Sequence, residues 1–315
     1  MNEFDLIRRY FQSPARGADV CLGVGDDAAV LNLLGSEKLV VTVDTLVETV
    51  HFEKNSPPEQ IAARCVRTSL SDLAAMGATP KWFTLALTLP DNNEGWLQAF
   101  SHGLSREAEK WQIDLVGGDT TRGALTISLQ MMGAVKDKWL TRAGAKVGDA
   151  ILVTGTLGDA AGYLAVEDME KEKTLANDYL EQRFWYPEPR LEFAKNALGH
   201  ISAACDISDG LLADLGHICR ASGVGADIQV DKLPLSDAQR IFPQSTSRSL
   251  ALSGGDDYEL CLTASPDLVQ ELTKIAERLG VRLERIGTIV EGSAVSCFDE
   301  AGPIKPIKGG YLHFS

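Results

Sequence analysis

Residues 21–30 read Cys-Leu-Gly-Val-Gly-Asp-Asp-Ala-Ala-Val, and the fold turns on how Gly23-Val24-Gly25-Asp26-Asp27-Ala28 is taken. The Gly-x-Gly-x-x-Ala spacing suits the pyrophosphate turn of a dinucleotide fold, with Asp44 placed downstream for a ribose hydroxyl. The physics between them does not fit. Two carboxylates at the turn repel a pyrophosphate, and the segment before the next apolar run is too short for a crossover helix. A P-loop is excluded because the chain has no Gly-Lys dipeptide, and neither His-Glu-x-x-His nor Gly-x-Ser-x-Gly occurs. Carboxylates at a phosphate turn make sense if they hold Mg²⁺ and the metal holds the phosphate.

The same setting recurs along the chain: an apolar run ends in aspartate beside Gly, Ser or Thr. It is seen at Asp44 in VVTVDTL, Asp72 in TSLSDLAAMGA, Asp119 in LVGGDTTRG, Asp206 and Asp209 in CDISDGLLADL, and Asp256 and Asp257 in LSGGDDYEL. Any one of these alone is most simply a cap or turn residue. Together they describe acidic strand ends, where α/β sheets place their sites, with glycines that let backbone approach a ligand.

The totals agree. With 44 acidic against 30 basic residues, the net charge of -14 argues against nucleic-acid binding, so a phosphorylated ligand here needs metal ions. The six cysteines show no metal or redox spacing and read as small core residues of a reducing compartment. No charge-free apolar run approaches a membrane span and the first residues do not resemble a signal peptide, so a soluble cytoplasmic protein is expected.

Apolar β-branched runs predict strands at 38–45 and 124–135, and helical spacing after a proline predicts a helix over 58–76. A second helix is expected at 94–111, followed by a short strand, DLVGGD. The polar segment 136–150 marks a domain boundary, giving residues 1–140 and 141–315 in an α/β (α+β) architecture. The second part is expected to carry a strand at 150–155, a strand-loop-helix at 201–220, a connector at 231–248, and strands near 257–263 and 281–290. The charged piece 167–174 reads as a solvated helix face or loop.

Taken in order, GVGDDAAV, VDTLVETVHF, SLSDLAAMGATP, GGDTTRG, TRAGAKVGDAILVTGTLGD, DISDGLLADLGHI and GGDDYEL resemble the thiamine-monophosphate kinase family of the aminoimidazole-ribotide-synthetase-like superfamily. The resemblance runs from about residue 4 to the C-terminus. It implies a two-domain fold whose N-terminal domain pairs into a dimeric barrel, with ATP and several Mg²⁺ ions in the cleft. It implies ATP-dependent phosphorylation of thiamine monophosphate to thiamine diphosphate by a homodimer. Carried over motif by motif, the metal ligands are Asp26, Asp27, Thr42, Asp44, Asp72, Asp119, Asp206 and Asp209. Gly118, Asp119, Arg142 and Ser208 lie along ATP, and His51, Asp256 and Tyr311 contact the substrate. Read without the family, His51 is as readily structural and Tyr311 is core packing.

The chain departs from the family pattern at Asp256, usually glutamate, and at Glu48-Thr49-Val50, usually a small, Gly-containing run. An acceptor that is itself an ionised phosphate needs no general base, which leaves positioning and charge neutralisation as the work of the site. Another ATP-using enzyme of the superfamily, resembling aminoimidazole ribotide synthetase, and a non-enzymatic metal- or nucleotide-binding regulator are the alternatives.

Overall fold

The computed structural model describes residues 9–11, 17, 19–22, 30–33, 35–167 and 174–304. The chain divides into two compact units, Met1–Leu73 with Ala78–Lys138, and Ala74–Gly77 with Trp139–Ser315.

The first unit contains β1 (Val20–Leu22), β2 (Val30–Leu31), β3 (Lys38–Val47), α1 (Pro58–Ala75), β4 (Thr79–Leu89), α2 (Glu94–Trp111), β5 (Asp114–Arg122) and β6 (Thr126–Val135). β1 and β2 pair antiparallel, which removes the dinucleotide reading, since the strands flanking that Gly-rich turn run parallel. The main sheet has the order β3-β6-β4-β5. Only β4 and β5 are parallel, and α2 is the crossover between them.

α1 begins at Pro58, whose missing N–H costs nothing there, with Glu59 in its first turn. α2 is capped by Asn93, whose side chain accepts from the Trp96 N–H, and ends at Gln112 in left-handed backbone, φ 53°. The two helices come close at Gly103, where a Cβ would sit 2.9 Å from the Glu59 backbone. Arg67 on α1 forms a bidentate ion pair with Glu107 on α2, at 2.9 and 3.2 Å, and Trp111 donates to the same carboxylate.

Alternation along β3 decides what its faces do. Thr42, Asp44 and Leu46 share the face that meets α1. Leu39, Val41 and Val43 lie on the other face and are 46%, 46% and 64% exposed.

The second unit carries β7 (Ala150–Thr154), β8 (Ala203–Asp206), β9 (Gly225–Gln229), β10 (Leu260–Ala264), β11 (Leu283–Val290), β12 (Val295–Asp299) and β13 (Gly302–Pro303). Its helices are α3 (Asp159–Glu167), α4 (Leu175–Trp185), α5 (Leu191–Ala197), α6 (Leu211–Ser222), α7 (Gln244–Ser253) and α8 (Val269–Arg278). The sheet order is β13-β12-β9-β11-β7-β10-β8, parallel only between β9 and β12. β7, β8 and β10 are buried along their length. Ile151, Val153, Ile207, Leu211, Leu215, Ile218, Ile228 and Ile286 form the centre of the core, each apolar side chain contributing roughly 2 kcal/mol by leaving water.

Cys65, Cys205, Cys219 and Cys261 are buried free thiols and Cys297 is half-buried. Among the described residues no helix is long and apolar enough to cross a membrane. The charged segment expected to be solvated lies, from 168 to 173, outside the described residues.

Candidate active site

In the first unit the β3 alternation and the pitch of α1 bring Thr42, Asp44 and Asp72 together. The Thr42 hydroxyl donates to Asp72 Oδ2. Asp44 is pushed up to about 6, first by burial and then by the negative charge of Asp72. Its Oδ2 is buried with no hydrogen-bond partner among the described residues. Two carboxylates held together, one with an orphaned oxygen, repel each other as they stand, and a hard divalent cation relieves that repulsion. Mg²⁺ therefore fits this donor set. Among the described residues no three His, Cys, Asp or Glu side chains converge on one metal position.

Asp119 stands elsewhere on the sheet. The register runs Thr45–Ser128–Ala86–Asp119 in one cross-strand row and Asp44–Leu129–Leu85–Gly118 in the next, so a regular pleat puts Asp119 on the opposite face from Asp44. Asp119 is exposed. Gly118 before it has φ 156°, and a Cβ there would lie 1.9 Å from the Leu85 carbonyl oxygen, so only glycine fits. Asp26 and Asp27 lie outside the described residues, as does Tyr311.

His51 follows β3 through a tight turn. The Val47 N–H donates to His51 Nδ1 at 3.0 Å, which leaves the hydrogen of the neutral ring on Nε2. In the same turn Thr49 has φ 69°, a left-handed conformation that a β-branched residue adopts at a cost of about 1–2 kcal/mol. This is the place where the family pattern has a small, Gly-containing run. Thr49→Gly is expected to stabilise the protein by about 1 kcal/mol in urea unfolding; an unchanged or lower midpoint contradicts the strain.

In the second unit β8 ends at Asp206, which is buried, and the chain turns through Ser208 and Asp209 into α6. The backbone N–H groups of Ser208, Asp209 and Gly210 all donate to Asp214 Oδ2, at 3.0, 3.0 and 3.1 Å. Asp214 thus fixes the whole turn. Burial, then the charge of Asp209, raise it to about 7 against those three bonds.

Two further bonds tie the GGDDYEL segment to this turn: Asp256 N–H to the Ser208 carbonyl at 2.8 Å, and Tyr258 N–H to the Ile207 carbonyl at 2.9 Å. Tyr258 Oη donates to Asp256 Oδ1 at 3.0 Å. Arg142 is exposed, its carbonyl accepting from Ser222 Oγ at 3.2 Å. His217 lies 3.0 Å from Arg220 and is lowered first by burial and then by the positive charges of Arg142 and Arg220.

Behind the segment is a buried charge cluster. Glu259 is fully buried and takes Arg190 at 2.6 Å, Arg183 at 2.8 Å and the Thr154 hydroxyl at 2.6 Å. Burial opposes its ionisation, yet Arg190 and Arg183 hold it below the usual glutamate range. A Cβ on Gly155 would sit 2.0 Å from Glu259 Oε1, so glycine leaves room for the carboxylate. Asp257 is raised well above its ordinary value, chiefly by burial and also by the charge of Asp159, although it accepts the Gly158 N–H at 2.7 Å. Asp214 lies inside DISDGLLADLGHI, and Tyr258 and Glu259 inside GGDDYEL, but their supporting roles were not singled out, nor were Arg183 and Arg190, because charged and phenolic side chains ordinarily read as surface.

Two family models match, AIR synthase related protein, N-terminal domain, over residues 25–135, and its C-terminal domain over residues 146–300. They define the class, a two-domain mixed α/β protein related to AIR synthase. A thiamine-monophosphate kinase of Escherichia coli K12 is 43% identical over 321 residues, covering 99% of this chain and 98% of the relative. The crystal structure of the thiamine-monophosphate kinase from Stenotrophomonas maltophilia K279a shares 44% identity at a TM-score of 0.85, covering 90% of this chain and 92% of that one. AaThiL complexed with AMPPCP and TMP shares 32% identity at a TM-score of 0.78, covering 99% and 96%. The chain belongs to the thiamine-monophosphate kinase family.

Proposed function

We propose that this protein transfers the γ-phosphoryl group of ATP directly to the phosphate of thiamine monophosphate, giving thiamine diphosphate and ADP. The observation that carries the reading is the Thr42–Asp44–Asp72 group with its orphaned carboxylate oxygen, in a chain whose relatives are kinases of this name. The complex of AaThiL with AMPPCP and TMP supports ATP and thiamine monophosphate as the ligands.

In the first unit, proposed as residues 1–140, Asp26, Asp27, Thr42, Asp44, Asp72 and Asp119 would hold Mg²⁺, and Gly118 with Asp119 would line ATP. In the second, residues 141–315, Asp206 and Asp209 would hold metal, and Arg142 and Ser208 would meet the nucleotide. His51, Asp256 and Tyr311 would bind the acceptor. Several bound Mg²⁺ ions would supply the positive charge that screens the repulsion between an anionic acceptor and the triphosphate.

The acceptor oxygen is already ionised near neutral pH, so no side chain has to remove a proton. Arg142 neutralises charge on the transferring or leaving oxygens. Transfer is in line and leaves no phosphoenzyme. The exposed Leu39, Val41 and Val43 on edge strand β3 support pairing with a second copy of the chain through this sheet. The balance of charge and the absence of a long apolar run support a cytoplasmic location.

The test is ADP formation by purified protein with ATP and Mg²⁺, offered thiamine monophosphate, free thiamine or an aminoimidazole-pathway substrate. Turnover is expected with thiamine monophosphate alone, and Asp119→Ala is expected to lower it by about a thousandfold or more. Silence with every acceptor would assign the framework to another substrate or to a binding role.

A further inference from the structure

Asp256 and Tyr258 both occupy left-handed backbone, with φ 71° and 50°. Non-glycine residues are held there only when their surroundings insist, and such strain gathers at functional sites. Here the surroundings are the intervening acids. Asp257 and Glu259 are buried, one on the Gly158 N–H and the other between Arg183 and Arg190, and they pin the segment from below. The residues alternating with them are half-buried and meet each other, Tyr258 Oη donating to Asp256 Oδ1 at 3.0 Å. The backbone N–H groups of both residues are bonded to the Ile207–Ser208 turn, so the pair is fixed to the element that carries Ser208 and Asp209.

A partly exposed hydrogen bond adds little to stability and does not account for two strained residues. It does fix one rotamer. Aspartate is one methylene shorter than glutamate, so its carboxylate depends more on what orients it.

We propose that Tyr258 is a positioning residue for substrate specificity, its phenol setting the Asp256 carboxylate toward the amino and cationic groups of thiamine monophosphate. This rests on the reading of Asp256 as an acceptor contact.

The experiment measures steady-state kinetics with each substrate varied, for the wild type, Tyr258→Phe and the double variant Asp256→Glu with Tyr258→Phe, together with thermal unfolding. Tyr258→Phe is expected to raise KM for thiamine monophosphate about five- to tenfold while kcat and KM for ATP stay within about twofold. In the double variant the longer carboxylate no longer needs the phenol, and KM returns to within about twofold of the wild type. An unchanged KM for thiamine monophosphate in Tyr258→Phe overturns the inference. So does a parallel shift in both KM values with a lowered Tm, or failure of the glutamate to rescue. A wild type that does not turn over thiamine monophosphate overturns the underlying reading of the site, and the inference with it.

Discussion

Glu259→Gln is expected to destabilise the protein by about 4 kcal/mol, while Asp257→Asn, two residues away, costs less than about 1 kcal/mol. Both acids are buried, at 0% and 2% exposure, but they differ in charge state. Glu259 is ionised between Arg183 and Arg190, so removing its charge leaves two guanidinium groups underpaired in a buried site. Asp257 has one oxygen on the Gly158 N–H and the other buried without a hydrogen-bond partner among the described residues, a position an ionised carboxylate does not tolerate. If Asp257 is neutral, the charges of Asp159 and Glu259 balance those of Arg183 and Arg190.

The pH dependence follows with a definite sign. Asp257 is raised in the native state, so folding takes up a proton above the unfolded pKa of about 4, and stability from this residue falls as pH rises through its native value. Asp257→Asn flattens that slope, whereas Glu259→Gln does not. Urea midpoints for the wild type and both variants across pH 5 to 9 are the check. Equal losses in the two variants contradict the assignment of charges.

Asp44→Asn is expected to lower metal-dependent turnover by about a thousandfold or more, without loss of thermal stability in chelator. The carboxylate sits beside Asp72 with a buried, unpartnered oxygen, so in the metal-free protein its charge costs stability. The amide removes the repulsion together with the charge proposed to hold metal. A structural residue gives the opposite pattern, a lower Tm with residual activity in proportion to folded protein. Thermal unfolding with and without Mg²⁺ separates the two. The wild type is expected to gain stability from the metal, and the variant to gain less.

Local signals carried much of the first unit. β3 is visible as an apolar β-branched run and α1 because helical spacing follows a proline; α2 was expected at 94–111, where the structure adds the Asn93 cap. β4 at 79–89 went unmarked because Pro80 and Lys81 open it. In the second unit α3, α4, α5, α7 and α8 went unmarked, being short helices that pack largely against neighbouring helices and turns, as where Val166, Leu180 and Phe242 meet. The expected connector at 231–248 contains 3-10 turns at Val230–Lys232 and Asp237–Ile241 and the first turns of α7.

The acidic motifs were legible because aspartate beside Gly, Ser or Thr recurs, and the structure joins Thr42, Asp44 and Asp72, although Asp72 stands on helix α1 and Asp44 within β3 rather than at strand ends. The supports behind the motifs were not. Arg183 and Arg190 lie 76 and 69 residues from Glu259 in the chain, and nothing local distinguishes them from surface charges. Asp214 reads as an ordinary first-turn acid until its carboxylate is seen collecting three backbone N–H groups.

In the proposed reaction phosphate joins phosphate without an intermediate on the protein. Phosphorus NMR of the purified enzyme with ATP, Mg²⁺ and thiamine monophosphate tests it most directly. A new diphosphate ester is expected to grow in step with ADP as the monophosphate ester signal declines. ADP accumulating with inorganic phosphate alone, or phosphate held on the protein before any diphosphate appears, would contradict it.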